Sequence, residues 1–269
     1  MNSRIRKRVI LLAVMIASVF LVTGCSDGLS PKKLIRESAK NLAGVNSVSN
    51  TLDMNIMLEN IVDTTKIQMS MEMENTVEPK AGHALGTAKV NMGGVDLESN
   101  IEIYQVIEDG AFVTYSGMDG LWVREASNTS ESDAFDSNIF KEADRSVKKF
   151  VVSDQLAEYN GRECYQMYGD ITGKELLGFV GMDMISAFGL VDLPDRSQIE
   201  KLDIPVTIEI YKEEMLPARI LIDMSDILDK LYDDNDFRIA VNDFTIILGY
   251  QGYDDIPEIV VPDAVKGKL

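Results

Sequence analysis

From Thr51 to Glu74 apolar and polar side chains change places at almost every step. In TLDMNIMLE, Leu52, Met54, Ile56 and Leu58 share one face, with Asp53, Asn55 and Glu59 on the other. KIQMSMEME repeats this, with Ile67, Met69, Met71 and Met73 opposite Lys66, Gln68, Ser70, Glu72 and Glu74. A period of two is that of a strand with one face buried and one wet. VDLESNIEIY continues with Val95, Leu97, Ile101 and Ile103 in phase, and AFVTY and LWVRE flank the turn SGMDG as a hairpin. KKFVVSD and RECYQMYG are strand-like around EYNG, where Asn160-Gly161 is a turn signal. IPVTIEIY and ARILIDM form a hairpin around KEEMLP. FRIAVNDFTIILGY reads as a late strand pair or one long curved strand, and IPEIVVPDAV closes the chain.

Helical spacing occurs twice. Ser30 is a good N-cap with Pro31 at the first helical position, followed by Leu34, Ile35, Ala39 and Leu42, with Gly44 at the predicted C-cap. Thr172-x-x-Glu175 is a capping box opening a helix over 172–189, in which Leu176, Val180, Met184 and Phe188 recur every fourth residue beside Leu177 and Ile185. Residues 126–143 are polar and weakly patterned, a loop or short helix. The order is one helix, about five strands, a break, two strands, a helix, then three or four strands. Without βαβ alternation this is an α+β chain with an antiparallel sheet and helices on one face.

The first 28 residues follow another rule. Arg4, Arg6, Lys7 and Arg8 precede an apolar run, Val9 to Val22, broken only by Ser18. That run has the length of a signal-peptide core and is short of the roughly 20 residues a spanning helix needs. It ends in Val22-Thr23-Gly24-Cys25, which resembles the lipobox of bacterial lipoproteins. The resemblance implies a signal peptide over 1–24, diacylation of the Cys25 thiol, a lipidated tether over 25–30, and one domain over 31–269. It also implies a cell-membrane location, lipid-anchored on the extracytoplasmic face. Two acyl chains on one residue make a stable anchor where one would be marginal.

Composition narrows the partners. The 269 residues hold 44 acids and 26 bases; four of the bases precede Cys25, so the mature charge is about −22. That repels nucleic acid and anionic headgroups, leaving the acyl chains to hold the membrane. Cys164 is the one thiol left after Cys25, so no intramolecular disulfide forms; in RECYQMY it reads as a small buried hydrophobe.

Catalytic and metal signatures are missing. His83 is the only histidine, set in the turn-like AGHALG, and no serine sits in a G-x-S-x-G elbow. No His/Cys cluster has zinc spacing. Asp233-Asp234-Asn235-Asp236 departs from a calcium loop at Phe237 and Arg238, and reads as a solvated turn. The expectation is therefore no enzyme, no metal and no cofactor.

Several pieces in order carry a wider resemblance. These are the N-terminal helix, the long alternating strands, the Tyr115, Gly120, Trp122 hairpin, the segment Ile210-Tyr211-Lys212-Glu213-Glu214-Met215-Leu216-Pro217, and the tail from Tyr253 through Ile256-Pro257 to Val261-Pro262. Together they resemble the LolA/LppX-like fold of uncharacterised Gram-positive lipoproteins over most of residues 31–265. The resemblance implies a curved, open antiparallel half-barrel with helices on its concave face, and a lipid or acylated protein as cargo. Candidate ligand-facing residues are Leu52, Met54, Ile56, Ile67, Met69, Met71 and Met73 on the strands, with Leu176, Val180, Met184 and Phe188 on the helix. Thioethers suit varied acyl chains, but the methionines are read first as filling the core between sheet and helix. A non-catalytic lipoprotein that binds an envelope protein or senses the envelope is the alternative.

Overall fold

The computed structural model describes residues 29–127, 149–177, 185, 193–233 and 239–268. Helix α1 (Pro31–Leu42) leads into β1 (Ser47–Glu59), β2 (Thr64–Thr76), β3 (Ala81–Met92), β4 (Val95–Glu108), β5 (Ala111–Met118) and β6 (Leu121–Ser127). Then come β7 (Val151–Val152), β8 (Ala157–Tyr159), β9 (Arg162–Thr172), α2 (Arg196–Ile199), β10 (Asp203–Tyr211), β11 (Pro217–Asp223), α3 (Ser225–Asp233), β12 (Ala240–Tyr253) and α4 (Asp263–Lys266). The strands make one antiparallel sheet in the order β6-β5-β4-β3-β2-β1-β12-β11-β10-β9-β7, with β8 paired to β9. Two meanders are thus joined by the first strand and the last, and the sheet is open.

Local chemistry accounts for the element ends. Ser30 Oγ accepts from the Lys33 amide, and α1 ends with Ala43 as C-cap, one residue before the predicted Gly44. The capping box forms: Glu175 Oε2 accepts from the Thr172 amide at 2.7 Å, and the Glu175 amide donates to Thr172 Oγ1 at 3.3 Å. The backbone is helical from 173 to 177. Asn160 and Gly161 both have positive φ and turn β8 into β9. FRIAVNDFTIILGY resolves as one long strand from Ala240, not a pair.

One expectation is overturned. AGHALG is not a turn but the start of β3, paired on both sides with β2 and β4. Its alternation was hidden because the inward positions are Ala84, Gly86 and Ala88, too small to read as an apolar face. The size has a cause. A Cβ on Gly86 would lie 2.0 Å from the Ser70 carbonyl oxygen, so β2 and β3 approach too closely there for a side chain.

The core lies on the inner face, where Leu34 and Ile35 of α1, Leu176, Leu177, Ile199 and Leu228 meet the strands. The tail does not join them. Ile259, Val261 and Val265 pack on the outer face, against Tyr104, Val106, Val113 and Tyr115. A third small cluster, also on the outer face, seats Cys164 with Tyr211 and Ala218.

Candidate functional site

Eight of the predicted ligand-facing residues come together. Leu52, Met54, Ile56, Ile67, Met69, Met71, Met73 and Leu176 share one cluster, and none is more than 3% exposed. The register sets them in rows: Ile56 opposite Ile67, Met54 opposite Met69, Leu52 opposite Met71. Cys25, Val180, Met184, Phe188 and the acidic run after Asp233 lie outside the described residues.

The same rows continue across the sheet to positions that the sequence reading had not nominated. Ile67 pairs with Val90 and Val90 with Leu97; Met71 pairs with Gly86, Gly86 with Ile101, and Ile101 with Met118. Met118 then faces Leu121, and Val123 follows through Ser116 and Ile103. Val95, Leu97, Met118, Leu121 and Val123 are 52–79% exposed, although they share a face with the buried methionines. Between the methionines of β2 and Ile101 and Ile103 of β4 stand the small β3 positions Ala84, Gly86 and Ala88, and they are closely packed: Ala84 and Ala88 are buried, and a Cβ on Gly86 would lie 2.7 Å from Met71 Sδ. The signal was legible in part, since Val95 and Leu97 alternate in phase with Ile101; their exposure was not.

This end of the sheet is stepped. Met118 pairs with Ile101, so β4 extends six residues past β5, and Val95 to Ser99 have no strand partner on that side among the described residues. The Asp119 amide donates to the Asn100 carbonyl, and Asp119 Oδ1 accepts from the Asn100 amide, closing the step.

Polar chemistry gathers on the outer face. His83 stacks on Tyr104 at 4.3 Å, with Nε2 3.2 Å from Glu102 Oε1 and Nδ1 3.9 Å from Glu74 Oε2. The Tyr104 hydroxyl donates to the same Glu102 oxygen at 2.7 Å. Burial first, and the Glu102 bond second, push the Tyr104 phenol well above its usual range. His83 borders a shallow open groove of about 510 Å³ with Ser49, Thr51, Glu72, Glu74 and Gln251. No serine, threonine or cysteine hydrogen bonds to His83 among the described residues, so the group pairs an imidazole with carboxylates without a nucleophile in line.

Two further networks hold the outer face. Glu209, 1% exposed, accepts two bonds from Arg219, each 2.9 Å, and a third from Gln166. Glu108 would be raised by burial, but bonds from Tyr115, Lys266 and Arg124 outweigh that and hold it below the usual carboxylate range. The Cys164 thiol is pushed up to about 11, by burial first and Glu209 second, which makes it unreactive at neutral pH. Among the described residues no group of three or more acids, histidines or cysteines is placed to hold a metal, and no helix is long and apolar enough to cross a membrane.

A model of a family of unknown function, DUF6612, matches residues 30–268. No curated protein matches the chain. Among solved structures it is similar to LprF from Mycobacterium bovis, at 13% identity over 86% of this chain and 96% of that one, with a TM-score of 0.48. It is also similar to the Mycobacterium tuberculosis lipoprotein LppX, at 10% identity over 86% and 98%, with a TM-score of 0.49.

Proposed function

The chain belongs to the DUF6612 family, and from that premise we propose that it is an extracytoplasmic lipoprotein, anchored through Cys25, that carries a lipid or another apolar ligand on its concave face. One observation carries the reading. The inner face runs unbroken from buried methionines to Val95, Leu97, Met118, Leu121 and Val123, all more than half exposed. An apolar face that emerges from under its helices offers an acyl chain a way in without opening the core. Anchoring by Cys25 keeps the carrier at its source of lipid, and the acidic surface keeps it off anionic headgroups.

Native mass spectrometry of the mature protein from its own host is the test. A lipid mass released on denaturation supports the carrier and identifies its cargo. A clean apo mass, unchanged after incubation with host lipid extract, overturns it and favours a lipoprotein that binds an envelope protein. Cys25→Ala should abolish acylation and processing; a variant still retained in the membrane would sink the anchor.

A further inference from the structure

Where the sheet is stepped, β4 runs on past its neighbour. Val95 to Ser99 pair with β3 on one side and have no strand partner on the other among the described residues. The register fixes which backbone groups this leaves. Met92 and Val95 face each other across the Gly93-Gly94 turn, so Asp96, one residue on, directs its amide and carbonyl away from β3. Asn100 sets the same phase from the other end. Its amide donates to Asp119 Oδ1 and its carbonyl accepts from the Asp119 amide, both on the β5 side. By the alternation of an antiparallel strand, Asp96 and Glu98 each hold one N–H and one C=O toward the open edge.

Edges of this kind are normally blunted by proline, a bulge, a lysine or a charge turned into the core. This one carries none of them: its sequence is VDLES, and its register with β3 is unbroken. Val95 and Leu97 point inward and are 58% and 63% exposed. Nor is the step a frayed end, since Asp119 and Gly120, both at positive φ, turn β5 directly into β6.

We propose that Val95 to Ser99 is a strand-addition site for an extended segment of a partner protein, with apolar side chains at alternate positions and Lys or Arg between them. The segment lies in line with β5 and bonds the main chain of Asp96 and Glu98. Its apolar side chains sit beside Val95 and Leu97 on the inner face, and its basic ones stand opposite Asp96 and Glu98 on the outer face. Charge decides the occupant. Two copies of this edge can pair antiparallel only with Asp96 or Glu98 opposite Asp96 or Glu98 of the other copy, so every register sets carboxylate against carboxylate. Lys89, 3.4 Å from Glu98, offsets one of these charges, while Asp96 has only the neutral Asn91 amide. A basic strand meets both. This inference does not depend on the carrier reading.

The test follows amide exchange in the full mature protein, held in detergent micelles, with the peptide acetyl-Val-Lys-Val-Lys-Val-amide as probe. In the free protein the Asp96 and Glu98 amides should exchange fast and that of Leu97, bonded to β3, slowly. Saturating peptide should slow Asp96 and Glu98 about tenfold or more. A peptide with Glu in place of Lys should not protect them, and neither should one N-methylated at both lysine amides, which lacks the donors strand addition needs. Glu98→Pro removes a donor from the open side and leaves the β3 ladder whole, so it should weaken binding about tenfold with the thermal midpoint unchanged. Amides of Asp96 and Glu98 already slow in the free protein overturn the proposal. So does protection by the Glu peptide or the N-methylated one. Protection that grows with protein concentration alone also overturns it, and makes a second copy the occupant.

Discussion

The two ends of the sheet differ in how far the inner face is covered. In β10, β11 and β12 the inward side chains Ile204, Val206, Ile208, Ile220, Ile222, Phe244 and Ile246 are at most 2% exposed, in one core cluster with buried residues of α1, α2 and α3, of which α3 packs on β12. In β4, β5 and β6 the inward positions include Val95, Leu97, Met118, Leu121 and Val123, which are open, while outward Tyr104, Val113 and Tyr115 are covered by the tail. Alternation is equally regular in both halves. What differs is which face another segment covers, so a period of two reports that faces differ and leaves open which of them is interior.

Removing the tail is the strongest way to break this contrast. A chain ending at Asp255 loses Ile259, Val261 and Val265, each worth about 1.5–3 kcal/mol when buried. Amide exchange should quicken in β3, β4 and β5 and stay slow in β10 to β12. Equal loss of protection in both halves would show that they do not respond as separate regions. Ile246→Ala should cost about 2–5 kcal/mol in denaturant melts, as a fully buried deletion under helices. Gly86→Ala comes next, at about 1–3 kcal/mol, because its Cβ would meet backbone rather than a yielding side chain.

The Glu108 network sharpens the comparison by pH. Its carboxyl is held below its ordinary value of 4.5 by Tyr115, Lys266 and Arg124. Its contribution is therefore present above that range and is lost as pH falls through and below it. Acid should loosen the tail before it loosens the helix-covered half, and Glu108→Gln should flatten that dependence in thermal melts read from pH 7 to 3. The smallest effect belongs to Leu97→Ser, expected within about 0.5 kcal/mol of wild type because the side chain is 63% exposed. If the concave face holds the ligand, the same change weakens lipid loading, which native mass spectrometry reads directly.

Much of the architecture was legible along the chain. The faces of β1 and β2, the α1 cap, the Thr172–Glu175 box and the Asn160-Gly161 turn all depend on contacts within a few residues, and each formed as the local chemistry dictates. The methionine list of the candidate site was legible for the same reason, being a strand face written out in order. Strand β3 was not, since its inward positions had shrunk to Ala and Gly to suit a neighbour that pairing brings in.

By itself, then, the sequence determined most of the strands and their two faces, because those follow from spacing and side-chain chemistry. Only the tertiary structure decided that β1 joins β12, that the tail crosses to the outer face, and that Leu97 and Val123 stand open while Met71 is sealed. Coverage is a property of segments that meet across as many as 209 positions of chain, and no local pattern records which of them arrives.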